Sequence, residues 1–176
     1  MDRDVFIYCP RCAHRLETGP RFGRERQYCP NCGYVRFRDP KLAVGALIIE
    51  AGCILLIRRA VIPRIGYWAV PSGFVEYDEQ PRAALAREVK EETGLEVNVG
   101  RVVDIFPLAD PQKQGVFLLF QAQVRGGDLA HGDDVSEVRW FSLDEIPWGE
   151  LAFDGLRSVL QTMTRRQEDP GADDDD

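Results

Sequence analysis

GFVEYDEQPRAALAREVKEETGL, Gly73 to Leu95, is the stretch on which the reading of this chain turns. Residues 80–93 are helical in composition: Pro81 suits a first-turn position, Ala, Arg, Glu and Leu fill the interior, and Gly94 supplies a stop. On that helix Glu88, Glu91 and Glu92 stand at i, i+3 and i+4 and share one face. Leu85 and Val89 mark a neighbouring apolar stripe that would dock on a sheet. Three crowded carboxylates repel one another, and a hard divalent cation relieves the repulsion, because Mg²⁺ takes carboxylate oxygens, water and phosphate as ligands. A solvated acidic face would show the same spacing, so the surroundings decide between the two readings.

Outward from the helix the pattern is one of strands. LAVGALIIE (42–50) and CILLIRR (53–59) are apolar strand candidates separated by Ala51-Gly52, which predicts a tight hairpin. Tyr67 to Val70 reads as a further short strand, followed by candidates at 96–106, 115–124 and 135–141 and a second helix near 149–163. Strands interleaved with two separated helices predict an α/β domain, a mixed sheet flanked by helices. Cys53, inside an apolar run, is expected to be a buried thiol.

Residues 1–38 differ in character: they are short, rich in Arg, Gly and Cys, and lack a long apolar run. Cys9 and Cys12 form one Cys-x-x-Cys pair and Cys29 and Cys32 another, with sixteen residues between the pairs. That spacing matches a four-cysteine Zn²⁺ site, closed by its own ligands and therefore structural, with disulfides as the alternative in an oxidising compartment. Pro40 disfavours helix at Asp39 and marks a joint. The expected organisation is a zinc ribbon over 1–38, a catalytic domain over 39–167 and a disordered acidic tail over 168–176.

Charge and hydropathy exclude some classes. The net charge of −7 lies mostly in the last nine residues, which carry six acids and no base; the remainder holds 22 basic against 23 acidic residues. A near-neutral body lacks the basic footprint of a duplex-binding protein, so nucleic acid is not the expected partner. No run approaches the roughly 20 apolar residues that cross a bilayer, and the charged N-terminus does not read as a signal peptide. The expected location is the cytoplasm, and the expected partner is a small molecule.

In order, the central segment runs Gly73, five residues, Glu79, seven residues, Arg87-Glu88-Val89, one residue, Glu91-Glu92, one residue, Gly94-Leu95. Those nine fixed positions in twenty-three residues are the Nudix box, and the chain resembles a Nudix hydrolase from about residue 40 to residue 165. The resemblance implies an α/β/α sandwich preceded by the ribbon. It also implies Mg²⁺ (or Mn²⁺) held by Glu88, Glu92, Glu91 and the backbone carbonyl of Ser72, with Arg87 orienting the helix through Glu79. Ser72 stands where many members have Gly, but only its carbonyl is implicated. The general base of the family often lies beyond the box; Glu137 is the candidate, with Glu91 and Glu76 as rivals. Arg58 and Arg59 are candidate phosphate contacts. Phe106 is the candidate substrate-binding aromatic, from a pool that includes Tyr67, Trp68, Phe74 and Tyr77.

NADH pyrophosphatases of this family carry a ribbon plus a Ser-Gln-Pro-Trp-Pro-Phe-Pro motif after the box, and the stretch here reads VVDIFPLADPQKQG (102–115) instead. The segments RDPKLAVGALI (38–48) and DEIPWGELAF (144–153) are closer to zinc-ribbon members acting on ADP-ribose and FAD, and Pro111 sits where ADP-ribose pyrophosphatases have a proline. The expected substrate is ADP-ribose first and FAD second. Sanitation of damaged nucleoside triphosphates, or a nucleotide-sensing or nucleic-acid-binding module using the ribbon, are the alternatives. The likeness is compatible with a homodimer.

Overall fold

The computed structural model describes residues 6–108 and 114–168, the side chains of 165–168 excepted. Pro111 and the acidic stretch after Glu168 lie outside the described residues. The chain divides into two compact units, Met1–Asp39 and Pro40–Asp176.

The first unit is built on an antiparallel hairpin, β1 (Glu17–Arg21) and β2 (Arg24–Tyr28), in register from Glu17↔Tyr28 to Arg21↔Arg24. Two cysteine loops repeat one geometry. Cys9 O accepts from Ala13 N and Cys9 N donates to His14 O; Cys29 O accepts from Gly33 N and Cys29 N donates to Tyr34 O. Ala13 and Gly33, at φ 56° and 73°, turn each loop back. The buried apolar content is Cys9, Leu16 and Cys29 with Tyr34 against them, too little to hold a unit this small by burial alone.

The second unit runs β3 (Lys41–Glu50), β4 (Cys53–Arg59), β5 (Trp68–Ala69), β6 (Ser72–Phe74), α1 (Pro81–Thr93), β7 (Leu95–Pro107), β8 (Gly115–Gly127), β9 (Val135–Ser142), a 3₁₀ turn at Trp148–Glu150 and α2 (Asp154–Glu168). Among the described residues these strands form one mixed sheet in the order β5-β4-β3-β8-β7, with β6 also on β3 and β9 also on β4. β3 and β8 are parallel, from Lys41↔Gly115 to Ile48↔Ala122; the other pairings are antiparallel. Ala51 and Gly52, at φ 49° and 79°, close the expected hairpin between β3 and β4.

Strand alternation sends side chains into two cores. Val44, Ala46 and Ile48 of β3 pack with Ala84, Leu85 and Val89 of α1, while Ala43 and Leu47 pack with Leu156, Val159 and Leu160 of α2. The sheet is thus covered by one helix on each face, and each fully buried Leu or Val contributes on the order of 1.5–3 kcal/mol.

Two expectations need correcting. The second helix does not start near 149: Ala152 N donates to Trp68 O at 2.8 Å and Leu151 bridges Trp68, so pairing with β5 holds 151–152 extended and α2 begins at Asp154. Cys53 is half-buried, because it opens β4 beside the hairpin turn, opposite Glu50 and Ser142.

Candidate active site

Helix α1 starts after Gln80 with Pro81 in its first turn and ends where Gly94, at φ 72°, donates its N–H to Lys90 O. Thr93 is fully buried; its hydroxyl donates to Val89 O at 2.6 Å and accepts from Leu95 N at 3.2 Å, tying the end of α1 to β7. With Leu85 and Val89 fixed in the core, Glu88, Glu91 and Glu92 line one wall of a cavity of about 800 Å³.

Each box carboxylate is held differently. Glu88 fills the space above Gly73, where an added Cβ would come within 2.0 Å of its carboxyl carbon. Here the box glycine is required by close approach. Glu92 accepts the Ser72 N–H at 2.7 Å, so β6 positions it through backbone. Arg87 donates to Glu79 through Nε (3.2 Å) and Nη2 (2.6 Å), to Phe74 O, and through Nη1 to Glu88 (2.8 Å) and Glu91 (3.0 Å). This fork joins the helix to the Phe74–Gln80 loop and drives the Glu79 carboxyl below its usual range.

The site is strongly acidic. Glu76, Glu88, Glu91, Glu92, Asp133 and Asp134 line the cavity, and among the described residues Arg59 is the basic residue in its lining. Burial pushes Glu92 up to about 8, a rise opposed by the Ser72 hydrogen bond and reinforced by the Glu88 charge. Burial also raises Glu88, with Arg87 pulling the other way. Burial lowers Arg59, while the charges of Glu92 and Asp134 support its cation.

The two adjacent arginines separate. Arg59 enters the cavity wall, its Nε donating to Pro63 O at 2.9 Å and its guanidinium 5.4 Å from the Phe153 ring centre. Arg58 is not among the cavity residues: it donates to Gly66 O and pairs with Glu137 at 3.7 Å and Glu150 at 3.9 Å. Glu137, opposite Arg58 in the β4–β9 register, stays with it and does not reach the carboxylate cluster. Its rivals Glu76 and Glu91 do line the cavity.

Phe106 reaches the cavity and stacks on Phe117, centroids 5.0 Å apart and planes at 11°. Phe74 lines it too; Trp68 is buried against Phe141, and Tyr77 is 98% exposed. Sequence reasoning missed Asp133 and Asp134. Their loop is pressed onto the end of α1: Ala130 N donates to Thr93 O and Gly132 N to Glu92 O. A Cβ on Gly132 would sit 2.2 Å from Glu91 O. The one available signal was His-Gly-Asp-Asp (131–134), a turn with two acids.

In the N-terminal unit, Cys9, Cys12, Cys29 and Cys32 place their sulfurs within 4.8 Å of one another. Two of the separations are 3.6 Å (Cys9–Cys32) and 3.5 Å (Cys12–Cys29). A disulfide needs about 2.05 Å, whereas a tetrahedron with metal–sulfur bonds of about 2.3 Å has edges near 3.8 Å. Arg11 N donates to Cys9 Sγ at 3.4 Å. The cluster therefore fits a thiolate-bound metal.

Comparison with known proteins agrees with this geometry. Residues 39–163 match the NUDIX domain family. The chain is 39% identical over 132 residues to an ADP-ribose pyrophosphatase of Methanocaldococcus jannaschii, covering 74% of this chain and 77% of that protein. It is 28% identical over 142 residues to an NAD-capped RNA hydrolase of Stutzerimonas stutzeri, covering 80% of this chain but only 49% of that one. The crystal structure of a NUDIX hydrolase from Nitrosomonas europaea superposes with a TM-score of 0.79 at 30% identity, over 93% of this chain and 91% of that one. No helix among the described residues is long and apolar enough to cross a membrane.

Proposed function

The chain belongs to the NUDIX hydrolase family, and from that premise we propose that it is a Mg²⁺-dependent pyrophosphohydrolase of nucleoside diphosphates linked to a second moiety, ADP-ribose first and FAD second. The observation that carries the reading is the cluster of acidic side chains lining a cavity that Phe106 and Phe74 also line. A diphosphate is anionic and would be repelled by so acidic a lining unless divalent cations lay between. Glu88, Glu92, Glu91 and the Ser72 carbonyl would hold Mg²⁺ or Mn²⁺, and the four cysteines would hold structural Zn²⁺. Bound there, the catalytic cation would neutralise the diphosphate and acidify a water.

The chain's own residues supply the remainder. Arg59 is the positive side chain placed to meet a phosphate oxygen. Arg87 fixes Glu88 and Glu91 relative to Glu79, holding the acidic face in one arrangement. Phe106, stacked on Phe117 and packed beside Gly155, is the candidate aromatic contact for a base in the cavity. Glu91 accepts the proton of the attacking water at its carboxylate, with Glu76, also in the cavity lining, as the rival. The water oxygen bonds to one phosphorus as the bridging P–O bond breaks, so ADP-ribose gives AMP and ribose 5-phosphate.

The likeness to an ADP-ribose pyrophosphatase over most of both chains supports this substrate order. The likeness to NAD-capped RNA hydrolases supports a second reading, cleavage of a dinucleotide, although the motif expected of NADH pyrophosphatases is absent from 102–115. A hydrolysis panel with Mg²⁺ across ADP-ribose, FAD, NADH and 8-oxo-dGTP, read by phosphorus-31 NMR, tests the proposal. Two phosphomonoesters from ADP-ribose support it. Release of pyrophosphate from the triphosphate alone would assign the chain to triphosphate sanitation. Binding without any cleavage would make it a sensor.

A further inference from the structure

The β1–β2 hairpin ends in a turn whose occupants do not suit it for stability alone. Phe22 and Gly23 have φ of 49° and 74°, the type I′ geometry that Asn-Gly fills without strain. A bulky aromatic residue in that region is an outlier, and burial does not compensate it, since Phe22 is 74% exposed. Its ring stacks instead on Phe37, centroids 5.8 Å apart, itself 53% exposed.

The same face carries cations. Arg24 and Arg21 are register partners, and alternation along β2 puts Arg24, Arg26 and Tyr28 on one side. Arg26 lies over the Phe37 ring at 4.9 Å and Arg21 over Tyr28 at 3.6 Å. Glu17, across from Tyr28, accepts its hydroxyl at 2.7 Å. Residues 6–39 hold seven arginines against Glu17, Glu25 and Asp39, in a chain whose net charge is −7. The positive charge is concentrated in the ribbon, which whole-chain charge conceals.

Flat, exposed rings interleaved with guanidinium groups are the chemistry of single-strand recognition, in which unstacked bases lie on the rings and phosphates meet the cations. A duplex presents no ring faces, and an acidic peptide would have no use for the phenylalanines. Arg26 also donates to Arg21 O and Phe22 O, bracing the turn, and Arg21 donates to Pro20 O; Arg24 is exposed. We propose that the Phe22–Phe37 face of the ribbon binds single-stranded nucleic acid, with Arg24 on its phosphates and the charges of Arg21 and Arg26 beside it. Hydrolysis plays no part in this function, which stands or falls apart from the reading of the active site.

Fluorescence anisotropy on the full zinc-loaded chain tests it, with labelled U12, dT12 and a 12-base-pair duplex as probes. Expected is binding of the single strands in preference to the duplex, weakening as salt rises. The U12-to-dT12 ratio tells RNA from DNA. Phe22→Asn restores the favoured turn residue, so the ribbon should keep its zinc and melt no lower. Its affinity for U12 should fall about five- to 150-fold, the loss of one stacked base. Arg24→Ala should weaken binding and flatten the salt dependence. ADP-ribose turnover should be unchanged in both variants. Equal affinity for the duplex, undiminished binding by Phe22→Asn, or binding of phosphatidylserine vesicles without binding of U12 would overturn the proposal.

Discussion

Arg58 and Arg59 are adjacent on one strand, yet one lies in an ion-pair group with Glu137 and Glu150 and the other faces the carboxylates of α1. The β4–β9 register shifts between them, and a short apolar run announces neither the shift nor which arginine goes where. The same ambiguity bears on the base: Glu137, the candidate from the sequence, lies opposite Arg58 in the register and is not among the cavity residues. Glu137→Gln should therefore leave turnover of ADP-ribose within about threefold, since a lost surface ion pair changes little. Glu91→Gln should cost on the order of 10²–10⁴ in kcat; the reverse order of losses would return the base to β9. The box residues, in contrast, were legible one by one, because helical spacing fixes which of them share a face. Glu92 adds a pH signature. Its folded carboxyl titrates near 8 against an ordinary 4.5, so the folded state retains a proton that the unfolded state has lost. The stability this gives is complete below about 4.5 and is lost as pH rises through about 8. The Tm of the metal-free protein should fall from pH 5 to pH 8, and Glu92→Gln should flatten that slope. A slope unchanged in the variant would show that other groups set it.

At the level of elements, local chemistry carried the reading far. Ala51-Gly52 announced a hairpin, and Pro81 with Gly94 bounded α1. Two things were not legible. The parallel pairing of β3 with β8 joins residues far apart in the chain and has no local signature. The Asp133–Asp134 loop owes its place to backbone hydrogen bonds from Ala130 and Gly132 to the end of α1, which side-chain patterns do not encode. The N-terminal unit shows the opposite case, since two Cys-x-x-Cys pairs specify its centre better than any apolar pattern could. With so small a core, that unit should depend on its metal, and structural zinc in small peptides is worth roughly 10–16 kcal/mol. Cys29→Ser should release zinc and abolish the protection of the 6–38 amides from hydrogen exchange, while α1 and β8 keep theirs. Full protection with no zinc detected would mean that the ribbon folds by other means.

For the molecule as a whole, the fold brings half-buried Glu88 and Glu92, the half-buried Arg59 and a stacked pair of phenylalanines to a single cavity of the second unit. Stability alone does not favour that arrangement, because burial and mutual repulsion both penalise the charged carboxylates. Binding of cations and a diphosphate would offset that cost. Glu88→Gln examines this most directly, keeping volume and the hydrogen bond from Arg87 while removing the charge. Turnover of ADP-ribose and the metal-free Tm would be measured together on that variant. The account predicts turnover lower by about 10²–10⁴ with a metal-free Tm that holds or rises. Near-normal turnover in Mg²⁺, or a variant that simply unfolds, would contradict it.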